Sequence, residues 1–523
     1  MKVLQEQLVD VLGPEGVTTD PKRLRYYSSD IYYVGQNCDY VLHPKSVKQL
    51  VDLVEIANAT GAALVPRGGG ASYTGGFVLD QAGTLLVDMS RMNQVVEIDR
   101  ESMYVVVEAG CTWESLDGML SVDGLRTPFW GPFSGSIATI GGTLSQNAAF
   151  WGSATAGLAS DSVLGLEVVI ATGEVLRTGV WAARNAEPFL RYFGPDTTGL
   201  FLGDCGAMGI KSRVVLRVER RPEHFGFASF QFEHRSELSS SMTEIARRGL
   251  AVSQFGLDPT LQAQRIRRVP VREAAEAVVE TVKRSKGAAS AIASAIGVAV
   301  RGRRFLSEDA FSLHVTLEDR GPVGLAARMD QICEICESGT QVADSVPRLL
   351  YGKRWASATA AMGPEGQRWV SVHGLVPLQQ ADPCWESVNE VFAKGQDNMD
   401  LHGVEAGVMV STVSTTAFLL EVVFTWPGER VPFITEHVSA RRLEANEIFD
   451  PDPQADALVL GLRESVISEL DSRGASHLQI GRSYPFLERL DAPAGDLLVA
   501  IKRVLDPEGI MNPGVLGLGR TTS

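Results

Sequence analysis

The chain has 523 residues, 45% of them hydrophobic, and a formal net charge of −15. That is more chain than one hydrophobic core usually holds, so two or three domains are expected. The acidic balance argues against nucleic acid as a partner. Six scattered cysteines suit a reducing compartment better than a disulfide scaffold, and the lone C-x-x-C at Cys333 and Cys336 is too little to predict a metal.

The opening "MKVLQEQLVDVLGPEG" reads as an amphipathic helix with acids in it, without the apolar core of a secretion signal. "SVKQLVDLVEIANATG" carries Ser46 and Gln49 in capping-box spacing, then a helical period, then Gly61 as a stop. Strands follow in "AALVP", "TLLVDM" and "MYVVVEAG", and a helix starts at Thr112. This alternation indicates layered helix and sheet. Between residues 131 and 161 small residues dominate, which lets backbone approach a bulky ligand. A hairpin turns near Thr172-Gly173, and "IKSRVVLRV" is a strand that stops at Pro222.

From about residue 223 the texture changes to a separate α+β region, with helices at 236–250 and 271–286 and with "FSLHVTLED" and "AFLLEVVFTW" as strands of one sheet. No apolar run reaches membrane-spanning length; the nearest is the alanine-rich stretch 288–300. It lies within residues 265–304, which hold ten Lys or Arg against three Glu. That stretch reads as a solvated helical face or as a peripheral contact with an anionic membrane surface or an acidic partner. The expected location is the cytoplasm, including the inner face of the membrane. The tail "LLVAIKRVLDPEGIMNPGVLGLG" is a helix and then an extended end.

Residues 65–76, "VPRGGGASYTGG", put five glycines in twelve positions. The spacing is neither that of a Walker loop, which needs a lysine, nor that of a Rossmann loop, since Tyr73 stands where a third glycine belongs. What remains is clustered backbone N–H, suited to an anion such as pyrophosphate, or a plain glycine-rich turn.

Taken in order, three segments resemble the FAD-linked oxidoreductases of the vanillyl-alcohol oxidase and p-cresol methylhydroxylase superfamily, nearest its glycolate-oxidase and D-2-hydroxy-acid-dehydrogenase branch. They are "PRGGGASYTGG", "GSIATIGGTLSQNAAFWGSATAG" with the hairpin after it, and "LDPEGIMNPG". The resemblance implies an α+β fold: an N-terminal helical segment (1–37), a two-part FAD-binding domain (38–222), a substrate or cap domain (223–494), and a C-terminal segment (495–523) that returns to the FAD domain. It implies that Pro66, Arg67, Gly68, Gly69, Gly70, Ala71 and Ser72 hold the FAD pyrophosphate. Ser136, Thr139, Ile140, Gly142 and Ser153 would lie along the flavin, Gly209 and Ile210 near the adenine half, and Asn512 over the isoalloxazine. The FAD is expected to be non-covalent, because the loop has no histidine and "SGSIATIGG" no cysteine.

The branch's paired metal-binding histidine motifs are not intact here. The surviving pieces are "RWVSVHGLVPL" with His373 and "ASHLQIGRSYPF" with His477 and Arg482, so no metal is expected. The resemblance implies oxidation of a C–H bond beside a hydroxyl, with hydride passing to flavin N5. A neutral histidine suits removal of the hydroxyl proton, with His373 the first choice and Tyr484 the second. His373 is expected on a strand beside Trp369, Ser371 and Leu375, near a strand end made by Gly374. Arg354 and Arg482 would anchor an anionic group. Two other readings stay open: oxidation of a para-substituted phenol, with Tyr484 and Arg482 on the phenolate, and a flavin-domain subunit of a larger dehydrogenase. The expected partners are a small anionic or aromatic substrate, an electron acceptor (oxygen, quinone, cytochrome or electron-transfer protein), and a second copy in a homodimer.

Overall fold

The computed structural model describes residues 2–79, 81–268, 309–355 and 358–519. The helix expected at 271–286, the alanine-rich run and most of the basic stretch fall outside these residues.

Two sheets build the first half. A four-stranded sheet has the order β1 (Val17–Thr18), β2 (Tyr40–Leu42), β4 (Thr84–Asp88), β3 (Ala63–Arg67). The helix Val47–Thr60 feeds β3; Ser46 caps its start by accepting the N–H of Gln49, and Gly61 ends it at φ 66°. A five-stranded antiparallel sheet has the order β5 (Val95–Asp99), β6 (Tyr104–Glu108), β10 (Ile210–Arg217), β8 (Val163–Val169), β9 (Val175–Arg177). The strands β7 (Leu125–Arg126) and β11 (Glu219–Arg220) pair beside it. The small-residue stretch holds two short helices, Ile140–Gln146 and Ser153–Ala156, which its lack of apolar periodicity concealed.

The second half is one seven-stranded sheet. Its order is β15 (Thr340–Val342), β12 (His224–Phe232), β14 (Phe311–Asp319), β13 (Ser253–Leu257), β17 (Glu405–Val413), β18 (Ala417–Trp426), β16 (Arg368–Pro377). One face buries Val370, Val372, Leu420, Val422 and Phe424, and helices such as Ala381–His402 and Pro453–Ser472 pack on the sheet. On the opposite face the register aligns Ser312, Leu257, Met409, Glu421 and His373 in one row across five strands. The next row is His314, Phe255, Ser411, Leu419 and Leu375. This face meets the first half: Phe255 lies 6.5 Å from Phe150, and the N–H of Ser414 donates to Ser153 O at 2.9 Å.

After the helix Ala492–Leu505 the tail returns to the first half. Leu64 N–H donates to Ile510 O (2.8 Å) and Asn512 N–H to Leu64 O (3.0 Å), which extends the β3 edge with residues 510–512.

Candidate active site

Steric closeness explains the glycine loop that follows β3. A Cβ on Gly68 would stand 2.2 Å from Thr139 Oγ1, and one on Gly69 1.9 Å from Ile137 O. Gly70 has φ 75°, a conformation L side chains rarely adopt. The loop is thus pressed against the 136–142 turn, where Thr139 caps the short helix through Gly142 N–H (3.2 Å) and Ile140 is fully buried. Ser136 is half-buried on the same turn.

The N–H groups of residues 69–71 donate to no other described residue. Beneath them Arg67 is buried against the rings of Tyr26, Tyr27 and Phe77. Its Nη1 donates to Gly68 O at 3.3 Å, but Nε and Nη2 find no partner. Free backbone donors above an incompletely paired buried cation, in a cradle that a Cβ would fill, fit the pyrophosphate of FAD.

The other expected contacts are spread over the loop, the neighbouring turns and the tail. Pro66 packs under Gly206, whose Cβ would meet it at 2.5 Å. Ser72 Oγ lies 3.3 Å from Thr74 Oγ1, while Ala71 is half-buried on the loop. Gly209 leads into β10 so closely that a Cβ would stand 2.7 Å from Val168, and Ile210 is buried. Ser153 is engaged in its own turn, its Oγ accepting Phe150 N–H at 2.9 Å. Asn512 is fully buried at φ 38° and acts as a clamp. Its Nδ2 donates to Gly76 O and Cys205 O (2.7 and 2.6 Å), and its Oδ1 accepts from Arg482 (2.8 Å).

Arg482 donates as well to the carbonyls of Gly75, Gly76 and Pro513, so its guanidinium ties loop to tail. Arg354 lies apart, paired with Asp117 (3.2 Å) beside Trp130 and Tyr351, while its backbone carbonyl accepts from Trp151.

His373 and Tyr484 do come together. The His373 N–H donates to Tyr484 Oη at 2.8 Å. The His373 carbonyl accepts from His477 Nδ1 at 2.6 Å, and the His477 ring stacks 4.2 Å from that of Tyr484. Asp471 receives the other side of His477 at 2.6 Å. The histidine's peptide is therefore held on both sides. Its ring shares a face with Trp369 and Ser371 as expected, but the strand does not end there: the ladder runs through Gly374 to Pro377↔Ala417. A glycine inside a strand did not turn it, because both neighbours continue the pairing.

The His373 Nε2 lies 2.7 Å from the hydroxyl of Tyr73, a residue of the glycine loop itself, and 4.0 Å from Glu421, its cross-strand partner. Nδ1 is buried without a partner. Burial, with smaller contributions from His477 and Arg463, lowers the ring's pKa to about 3, so the imidazole is neutral. Burial also raises the Tyr484 phenol to about 12 and the Tyr73 phenol well above its usual range.

Sequence reading missed Tyr73 and Glu421. Tyr73 carried a signal, an aromatic hydroxyl at a glycine's place in the loop. Glu421 carried none, since only the cross-strand register brings it beside His373. Among the described residues no group of three or more His, Cys, Asp or Glu is placed to hold a metal, and all six cysteines are free thiols. No helix among the described residues is long and apolar enough to cross a membrane.

A backbone cradle for a dinucleotide, closed by a tail and faced by a buried histidine, defines an FAD-dependent oxidoreductase. The comparisons agree. Residues 38–179 match the FAD binding domain family, and residues 482–516 match the C-terminal domain of FAD linked oxidases. The glycolate oxidase subunit GlcD of Bacillus subtilis (strain 168) is 28% identical over 525 residues, covering 98% of this chain and 96% of that one. The D-2-hydroxyglutarate dehydrogenase of Arabidopsis thaliana is 31% identical over 211 residues, 40% of this chain and 36% of that one. The structure of p-cresol methylhydroxylase with substrate bound superimposes with a TM-score of 0.70 at 15% identity, over 99% of this chain and 97% of that one. The chain thus carries the FAD binding domain and the C-terminal domain of FAD linked oxidases, is an FAD-linked oxidoreductase similar to the glycolate oxidase subunit and to D-2-hydroxyglutarate dehydrogenase, and shares its fold with p-cresol methylhydroxylase.

Proposed function

We propose that the protein oxidises a small 2-hydroxy acid or related alcohol at the carbon that bears the hydroxyl, with His373 taking the hydroxyl proton. The carrying observation is the His373 ring: buried, neutral, unpartnered at Nδ1, and joined through Tyr73 to the loop that fits FAD. Bound FAD supplies the acceptor for the electron pair. With a carboxylate on the Nε2 side, the Nε2–H tautomer is favoured and the lone pair is left on Nδ1. Burial makes that lone pair a reluctant acceptor, and Glu421 offsets this by stabilising the imidazolium once the proton has moved. Tyr484 accepts from the His373 N–H, so its own proton is left to steady a substrate oxygen. Arg354 and Arg482 then brace the walls of the site instead of anchoring substrate, since each guanidinium already has protein acceptors. FAD is held without a covalent link, and acid precipitation should release the yellow colour into the supernatant.

One observation favours a second reading. The hydroxyls of Tyr73 and Tyr484 lie 2.7 and 2.8 Å from atoms of the same residue, His373, and such a group could hold a phenolate. The electron acceptor is an external one. The name of the Bacillus relative, a subunit, makes a partner protein the acceptor to test beside oxygen and quinones. The deciding experiment is anaerobic bleaching of the flavin by the purified chain across D-2-hydroxy acids and para-alkylphenols. Bleaching by hydroxy acids that is lost in His373→Asn supports the first reading. Bleaching by phenols alone replaces it with the second, and no bleaching by either class leaves the role of an assembly subunit.

A further inference from the structure

Two groups of buried polar side-chain atoms without partners lie on the sheet face that meets the flavin half. Trp369 Nε1, Ser371 Oγ and His373 Nδ1 form one group, all on β16. A second group stands at the other side of the sheet: His314 Nε2, Ser312 Oγ and Gln231 Nε2. Cross-strand pairing of Ser229 with His314 and of Gln231 with Ser312 makes the second group one compact patch on β12 and β14. His314 is 1% exposed, and its Nδ1 lies 2.9 Å from Ser229 Oγ, which leaves Nε2 the free end of a fixed ring. Buried polar atoms are almost always paired with protein, water or ligand, so three such atoms in one patch mark a place for water or for a polar group of a ligand that displaces it.

Between the two groups the rows are mainly apolar, with Leu257, Met409, Phe255 and Leu419, and Phe150 of the flavin half stands against Phe255. From β16 to β14 there are four strand steps, about 19 Å between backbones at the usual spacing.

We infer that the substrate site extends along this face from His373 to a distal polar subsite made by His314, Ser312 and Gln231. This rests on the proposed chemistry at His373 and adds the class of substrate: a 2-hydroxy acid or alcohol with an apolar body and an uncharged hydrogen-bonding group at its far end. The subsite offers hydroxyl, amide and neutral imidazole and carries no charge of its own, so a hydroxyl or amide fits it, while a carboxylate or ammonium would be buried without a counter-ion. Burial alone keeps the His314 ring neutral.

The test uses the full-length holoenzyme and anaerobic flavin reduction with three probes. These are lactate, a 2-hydroxyalkanoate of about ten carbons, and the same chain with an ω-hydroxyl, a length chosen to cross the strand steps. Wild type should prefer the ω-hydroxy chain over its ω-methyl counterpart by about 10- to 100-fold in kcat/KM, since the methyl leaves buried polar groups unpaired. His314→Leu should erase that preference and change the rate with lactate by less than about threefold; because it also takes from buried Ser229 Oγ its partner at 2.9 Å, the melting temperature should fall somewhat, and the rates are compared on folded, FAD-loaded protein. His314→Gln, which restores a polar end, should recover part of the preference. A wild type indifferent to the ω-group, or a His314→Leu variant in which all three probes fall together, overturns the inference. If no hydroxy acid of any length bleaches the flavin, the chemistry proposed at His373 is what fails. The same comparison with para-substituted phenols bearing short or long tails then decides the distal subsite by itself.

Discussion

The two walls of the site are made of different material. The flavin wall is backbone: glycines at 68–70 pressed onto residues 137–142, with free N–H groups above Arg67. The facing wall is side chain: His373 and Glu421 on a paired sheet whose other face is a packed core. A backbone wall tolerates almost no substitution, because every Cβ is an intrusion. A side-chain wall can be rewritten residue by residue while the sheet beneath it stays in register, and so cofactor and substrate specificity are separable in this fold.

The largest effect should come from breaking the backbone wall. Gly69→Val would drive a Cβ to within 1.9 Å of Ile137 O. The purified protein should be colourless, with the visible flavin absorbance lost altogether. A yellow Gly69→Val protein would mean that the loop is not the pyrophosphate cradle. Next comes the side-chain wall. His373→Asn should lower flavin reduction by about 100- to 10,000-fold while FAD content stays that of wild type. A variant with normal reduction but a lower melting temperature would make His373 structural and move the catalytic role to Tyr484.

A smaller effect sharpens the contrast between the two faces of the cap sheet. Leu420→Ala, on the helix-packed face, should cost about 2–5 kcal/mol in chemical denaturation with near-normal reduction in the folded fraction. Ser371→Ala, on the site face, removes a hydroxyl without a partner and should shift stability by less than about 0.5 kcal/mol. Equal costs at the two positions would abolish the distinction.

The smallest effect is pH dependence. Burial lowers the pKa of both His373 and His314 from 6.5 to about 3. Unfolded histidines take up protons that the folded ones refuse, so stability is lost as pH falls from 6.5 toward 3. The melting temperature should decline over that window, and His314→Leu should flatten the decline. An unchanged slope would mean that His314 is not held neutral in the fold.

The same contrast explains what could be read in the sequence. The helix capped by Ser46 and stopped by Gly61 was legible from local chemistry, and so was the glycine loop, because its function is its composition. The strand of His373 was legible from alternation. Its cross-strand partner was not: Glu421 lies 48 residues further on, and only the β16–β18 register sets it opposite His373. Arg482 looked like a free cation beside a tyrosine, since nothing local announces that the carbonyls of Gly75 and Gly76, some 400 residues earlier, occupy it.

The clamp at Asn512 has a consequence for maturation. The cradle is laid down near residue 69, yet its neighbouring sheet edge is completed by residues 510–512, and Gly76 is bonded by an amide that leaves the ribosome more than 400 residues later. The flavin half therefore cannot finish folding until residue 512 has been made, however early its own strands pair. It waits, partly assembled, for the seven-stranded sheet to be made and for residues 510–512 to come back. A chain cut short before residue 510 should therefore be purified without colour.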